Sequence, residues 1–87
     1  MIHNMSELSM NEKMILIQYA IQKYENEEEL LEKLQNVLPE KDIQRSLDTL
    51  IGTQRVRRIG PEVLQNNVSH TELPDLPDNI KDLLEKI

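Results

Sequence analysis

The chain contains no cysteine, no phenylalanine and no tryptophan. Without cysteine there is no disulfide framework and no thiolate metal site, a pattern that fits a reducing cytoplasm. Aromatic content is 2%, supplied by Tyr19 and Tyr24 alone, so the core has to be built from Leu, Ile, Val and Met. An aliphatic core of this kind suits helices better than a sheet sandwich, which draws on aromatic and β-branched residues. No apolar window of about 18 residues occurs, so no membrane span is expected. The opening "MIHNMSELSM" lacks a basic region followed by an apolar run, so it does not read as a secretory signal.

Chemistry-bearing motifs are equally scarce. Gly52 and Gly60 are the only glycines, too few for a phosphate-cradling loop. His3 and His70 stand far apart with no ligand partner at a metal-binding spacing. Glu27, Glu28 and Glu29 fan around a helix axis and cannot converge on a cation. The expectation is therefore no enzyme, no metal and no cofactor.

What is present is charge, unevenly placed. The 87 residues carry a formal net charge of -6. Residues 1–24 sum to zero, whereas residues 25–38 hold five Glu against one Lys. Residues 39–60 reverse the sign, with Lys41, Arg45, Arg55, Arg57 and Arg58 against Glu40, Asp42 and Asp48. Residues 61–87 return to a net charge of -4. A lone basic segment in an acidic chain is the informative asymmetry. A chain this short forms one domain and buries only roughly 60% of its unfolded surface, so the core is thin.

Ser9 followed by Glu12 is a capping box, and Met10, Met14, Ile17, Ile21 and Tyr24 recur at helical spacing, with Ile15 and Ala20 alongside. This predicts a first helix over about 10–24. Asn26 is the expected N-cap of a second helix over 27–37, whose three leading glutamates complement the helix dipole. Leu30, Leu31, Leu34, Val37 and Leu38 form its buried face. Pro39 ends that helix and opens a third one, in which Ile43, Leu47, Leu50 and Ile51 make the stripe and Gly52 stands just past the end. The period then changes. Strand, Gly60-Pro61 turn and strand predict a hairpin of about 54–59 and 63–68. A loop with two prolines follows, then a helix over 79–87 with Asp78 as its cap.

Helix, helix, tight corner, helix, glycine and basic hairpin, carried by "PEKDIQRSLDTLIGTQRVRRIGPEVLQ", resemble the winged helix-turn-helix superfamily over residues 9–68. The expected fold class is mainly α with a small β-hairpin. An N-terminal tail (1–8) precedes that domain, and a Pro-containing linker (69–78) leads to a C-terminal helix (79–87) that caps the core or dimerises. Between Tyr24 and Asn26 there is almost no room for the short strand that usually joins helices 1 and 2 of this superfamily. In DNA-binding members, helix 3 enters the major groove and the wing touches the backbone. The resemblance thus implies DNA contacts from Lys41, Gln44, Arg45 and Asp48 or Thr49 on helix 3, and from Arg55, Arg57 and Arg58 on the wing.

Each set has an ordinary alternative. The arginines can pair with the Glu-rich second helix or the acidic tail, and strand alternation sends Arg55 and Arg57 to one face and Arg58 to the other. Lys41, Gln44 and Arg45 can be a solvated helix face, and Glu40, Asp42 and Asp48 oppose a polyanion. Winged helices also bind protein, as in ESCRT, replication and transcription complexes. On that reading Leu73, Pro74, Leu76, Pro77, Ile80, Leu83, Leu84 and Ile87 dock a partner. The leading expectation is a cytoplasmic transcriptional regulator that binds double-stranded DNA, as a homodimer. The alternative is a protein-protein adaptor.

Overall fold

The computed structural model describes residues 8–67 and 73–87. Its elements are helices α1 (Met10–Lys23), α2 (Glu27–Leu34) and α3 (Glu40–Gly52), strands β1 (Val56–Gly60) and β2 (Val63–Asn66), and helix α4 (Asp78–Glu85). The architecture is mainly helical with one antiparallel hairpin, as expected. Among the described residues, no helix is long and apolar enough to cross a membrane. His3, His70, Val68 and most of the N-terminal tail lie outside the described residues, as do residues 69–72 of the linker.

The first helix begins as its sequence dictates. Ser9 Oγ accepts from the Glu12 N–H at 3.1 Å, and a Glu12 carboxylate oxygen accepts from the Ser9 N–H at 2.9 Å. Two donors of the first turn are thereby satisfied. The burial of α1 exceeds a single stripe: Ile15, Leu16, Ile17, Gln18, Ala20 and Ile21 are all buried. The reason is position. α1 packs against α2, α3 and β2 and also against α4, so it is the central helix. Met10, expected in the stripe, is 37% exposed.

Helix α2 is shorter than the expected 27–37. The Asn26 side chain caps it, accepting from the Glu29 N–H at 3.0 Å. Beyond Leu34 the bonding tightens, with Asn36 N–H reaching Lys33 and Val37 N–H reaching Leu34. Residues 35–37 are therefore a turn, which aims Val37 and Leu38 into the core ahead of Pro39. Proline at 39 forbids α backbone at Leu38, so the helix has to close before it.

The end of α3 also departs from expectation. Gly52 lies inside the helix, and the left-handed residue is Gln54, with φ 65°. Arg55 N–H bonds to the Leu50 carbonyl at 2.9 Å and Gln54 N–H to the Ile51 carbonyl at 3.1 Å. That is a Schellman motif with glutamine where glycine usually sits. It reverses the chain and launches β1 two residues later than predicted.

Val56, Arg57 and Arg58 pair with Asn66, Gln65 and Leu64, and the register slips between Arg58 and Gly60. The irregularity leaves Ile59 half-exposed at the hairpin end. Between α1 and α2, where the sequence left almost no room for a strand, the chain makes a single bridge to the hairpin. Asn26 forms an isolated antiparallel bridge with Val63, flanked by bonds from Leu64 N–H to Glu25 C=O (3.0 Å) and from Glu27 N–H to Glu62 C=O (2.7 Å). One residue suffices because these two bonds bracket it.

Helix α4 starts at Asp78, with Pro77 in the cap position and no side-chain cap. Asp78 is thus the first helical residue and not the cap, and the helix stops at Glu85. Ile80 and Ile87 join the same core as Leu16, Ile17, Leu30, Leu34, Ile43, Leu50 and Leu64. Burying each such side chain stabilises the fold by about 2 kcal/mol.

Candidate nucleic-acid interface

The exposed face of α3 holds every helix residue that the sequence singled out. Lys41, Gln44, Arg45, Asp48 and Thr49 share one shallow depression with Glu40. Positions 41, 44, 45 and 48 recur at the three- and four-residue steps that align side chains on one helical face, while Ile43, Ser46, Leu47 and Leu50 hold the other face in the core. Two cations, Lys41 and Arg45, and two acids, Glu40 and Asp48, share this surface, so their charges sum to zero.

Two details refine this face. Asp42 is drawn away from it, pairing with Lys13 of α1 at 3.0 Å in a half-buried bridge. Of the three nearby acids, then, Glu40 and Asp48 remain to oppose an anion. Thr49 Oγ1 donates to the Arg45 carbonyl at 3.0 Å. Its proton is committed to the helix, which leaves its oxygen lone pairs to meet a ligand.

The hairpin separates its three arginines. Arg55 precedes β1, anchored through its main chain: its N–H is in the Schellman motif and its carbonyl accepts from the Asn67 N–H at 2.9 Å. Arg57 lies opposite Gln65, both exposed, and lines a depression with Gln22 of α1 and Glu25 of the connector that follows it. Arg58 lies opposite Leu64 and forms an ion pair with Glu27 at the start of α2. Among the described residues, Lys41, Arg45, Arg55 and Arg57 form no ion pair. The expected division of the arginines between two faces holds for Arg57 and Arg58.

The C-terminal set is placed differently. Ile80 and Ile87 are buried in the core; Leu73, Pro74, Leu76, Pro77, Leu83 and Leu84 are half-buried. Tyr19 Oη donates to the Pro74 carbonyl at 2.5 Å, and Lys23 Nζ donates to the main-chain oxygen of Ile87 at 2.9 Å. Leu76, Leu83 and Leu84 pack against the core that Ile80 and Ile87 join.

The ordinary alternative, arginines pairing with the Glu-rich second helix, holds for Arg58, which meets Glu27 31 positions away. One residue that organises the region went unnoticed in the sequence. Asn66 is buried in β2, its Nδ2 donating to the Gln18 carbonyl at 2.7 Å while its Oδ1 has no partner among the described residues. A polar residue at an inward strand position was the only available signal for it. No protein-family model, no curated protein and no solved structure matches the chain.

Proposed function

We propose that the chain is a winged helix-turn-helix module that binds double-stranded DNA, with α3 as the groove-reading helix and the hairpin as the wing. The order α1, α2, α3, β1, β2 with a tight α2–α3 corner supports the topology, and the Asn26–Val63 bridge supplies the place of the usual third strand. The observation that carries the reading is the set of cations that form no ion pair among the described residues: Lys41 and Arg45 on α3, then Arg55 and Arg57 beyond it. Guanidinium forks match phosphate oxygens bidentately, and Gln44 has the amide geometry that reads an adenine edge.

Affinity on this reading comes mainly from the hairpin, because the acids on α3 offset its own cations. Two copies would double a small basic surface, so a homodimer acting as a transcriptional regulator in the cytoplasm completes the proposal. The test is fluorescence anisotropy with a labelled random duplex at about 50 mM salt, where non-specific phosphate binding is strong. Wild-type binding that disappears in Arg55→Glu with Arg57→Glu is the expected result. A wild type that does not bind any duplex under those conditions ends the reading.

A further inference from the structure

We infer that Arg58 is a positioning residue for the hairpin, and that Glu27 governs ligand binding through it while contacting no ligand. The inference rests on the reading of the chain as a duplex-binding module and assigns different work to residues that look alike in sequence.

Register is the first argument. Arg58 pairs with Leu64 on the side of the hairpin that carries Val56; Val56 and Leu64 are 1% and 0% exposed. Arg57 pairs with Gln65 on the opposite, exposed side. The Arg58 guanidinium therefore leaves the hairpin towards α2, where the Glu27 carboxylate receives it.

The second argument is that Glu27 holds the hairpin twice. Its carboxylate takes Arg58 of β1, and its N–H donates to the carbonyl of Glu62, just ahead of β2. Both arms of the ribbon are thus fastened to the first residue of α2. A two-stranded hairpin is marginal by itself, so its direction has to be imposed from outside. Glu27 also precedes Glu28 and Glu29. Consecutive helical side chains fan around the axis, and among the described residues Glu27 alone of the three pairs with Arg58.

The two roles predict opposite signs. If Arg58 contacted phosphate, Glu27→Gln would free a guanidinium and remove a repelling charge, and binding would tighten. As a positioning pair, Glu27→Gln loosens the hairpin and binding weakens.

The experiment is a salt titration of duplex affinity for the full chain and four variants. Arg57→Ala should lower the slope of log affinity against log salt by about 0.9, the signature of one lost phosphate contact. Arg58→Ala and Glu27→Gln should each weaken binding with the wild-type slope retained, and the charge swap Glu27→Arg with Arg58→Glu should recover most of the loss. A slope that falls by about 0.9 in Arg58→Ala, or tighter binding by Glu27→Gln, overturns the assignment. Glu27→Gln is nearly isosteric and keeps the test alive if the other variants fail to fold. If the wild type binds no duplex, the DNA reading falls by itself, and amide exchange at Leu64 decides the positioning role. Faster exchange in Glu27→Gln, reversed in the swap, upholds it; unchanged exchange overturns it.

Discussion

The hydroxyl of Tyr19, midway along α1, donates to the main-chain carbonyl of Pro74 at 2.5 Å. This bond and the burial of Ile80 fix the Pro-containing segment and α4 against the central helix. They make the C-terminal segment a structural part of the core, with consequences that can be measured.

Tyr19→Phe removes the donor and leaves the ring in place, so it should lower stability by about 1 kcal/mol. Ile80→Ala empties a fully buried site and should cost about 2–5 kcal/mol. Urea titration followed by far-ultraviolet dichroism checks both. A small Ile80→Ala effect would mean that α4 does not contribute to the cooperative unit.

The end of α3 carries a glycine and a left-handed residue two positions apart. A Cβ at Gly52 would meet nothing within 4 Å, so Gly52→Ala should stabilise the helix by about 0.5–1 kcal/mol. Gln54 holds φ 65°, and Gln54→Gly should relieve strain worth about 1 kcal/mol. The effects should be close to additive in thermal melts, and a destabilised Gln54→Gly would contradict the left-handed turn.

The Glu12 carboxyl is held below its ordinary value of 4.5, chiefly by the Ser9 N–H and next by the Asn79 side chain of α4. The native state therefore favours the charged form. Its contribution is present above about pH 4.5 and is lost as the pH falls through the lower native value. Melts across this acid range should show a weaker pH dependence in Glu12→Gln than in wild type. Identical profiles would remove the capping box from the account of acid lability.

On the proposed interface, Glu40→Gln with Asp48→Asn removes the two carboxylates left on the α3 surface. Duplex affinity should rise by roughly fivefold per charge at low salt, from about 1 kcal/mol of repulsion at close range in water. Asp42→Asn should do much less for binding, because Lys13 already neutralises that acid, and should instead lower stability. Anisotropy and a melt on each variant separate the two effects.

How much of this was legible depends on the distance over which each interaction acts. The capping box at Ser9 and the Asn26 cap operate within three residues, and both were read correctly. The α3 surface was legible because helical periodicity alone places Lys41, Gln44, Arg45 and Thr49 together. Helix ends were less so: Val37 and Leu38 continued an apolar pattern that tertiary burial converted into a turn, and Gly52 was a plausible terminus that the chain passed by. The Glu27–Arg58 and Lys13–Asp42 pairs join positions 31 and 29 apart. Pairing of the arginines with the Glu-rich second helix was open in the sequence, but no local pattern picks out which arginine meets which glutamate.

Only Tyr24, Glu25 and Asn26 connect α1 to α2, and all three are occupied. Tyr24 closes the first helix by donating its N–H to the Ala20 carbonyl, Glu25 accepts from β2, and Asn26 both bridges Val63 and caps α2. A joint with no slack has a fixed length. Adding or deleting a single residue there would force a choice among closing one helix, opening the next and anchoring the ribbon, so changes in chain length between relatives of this protein should spare this corner.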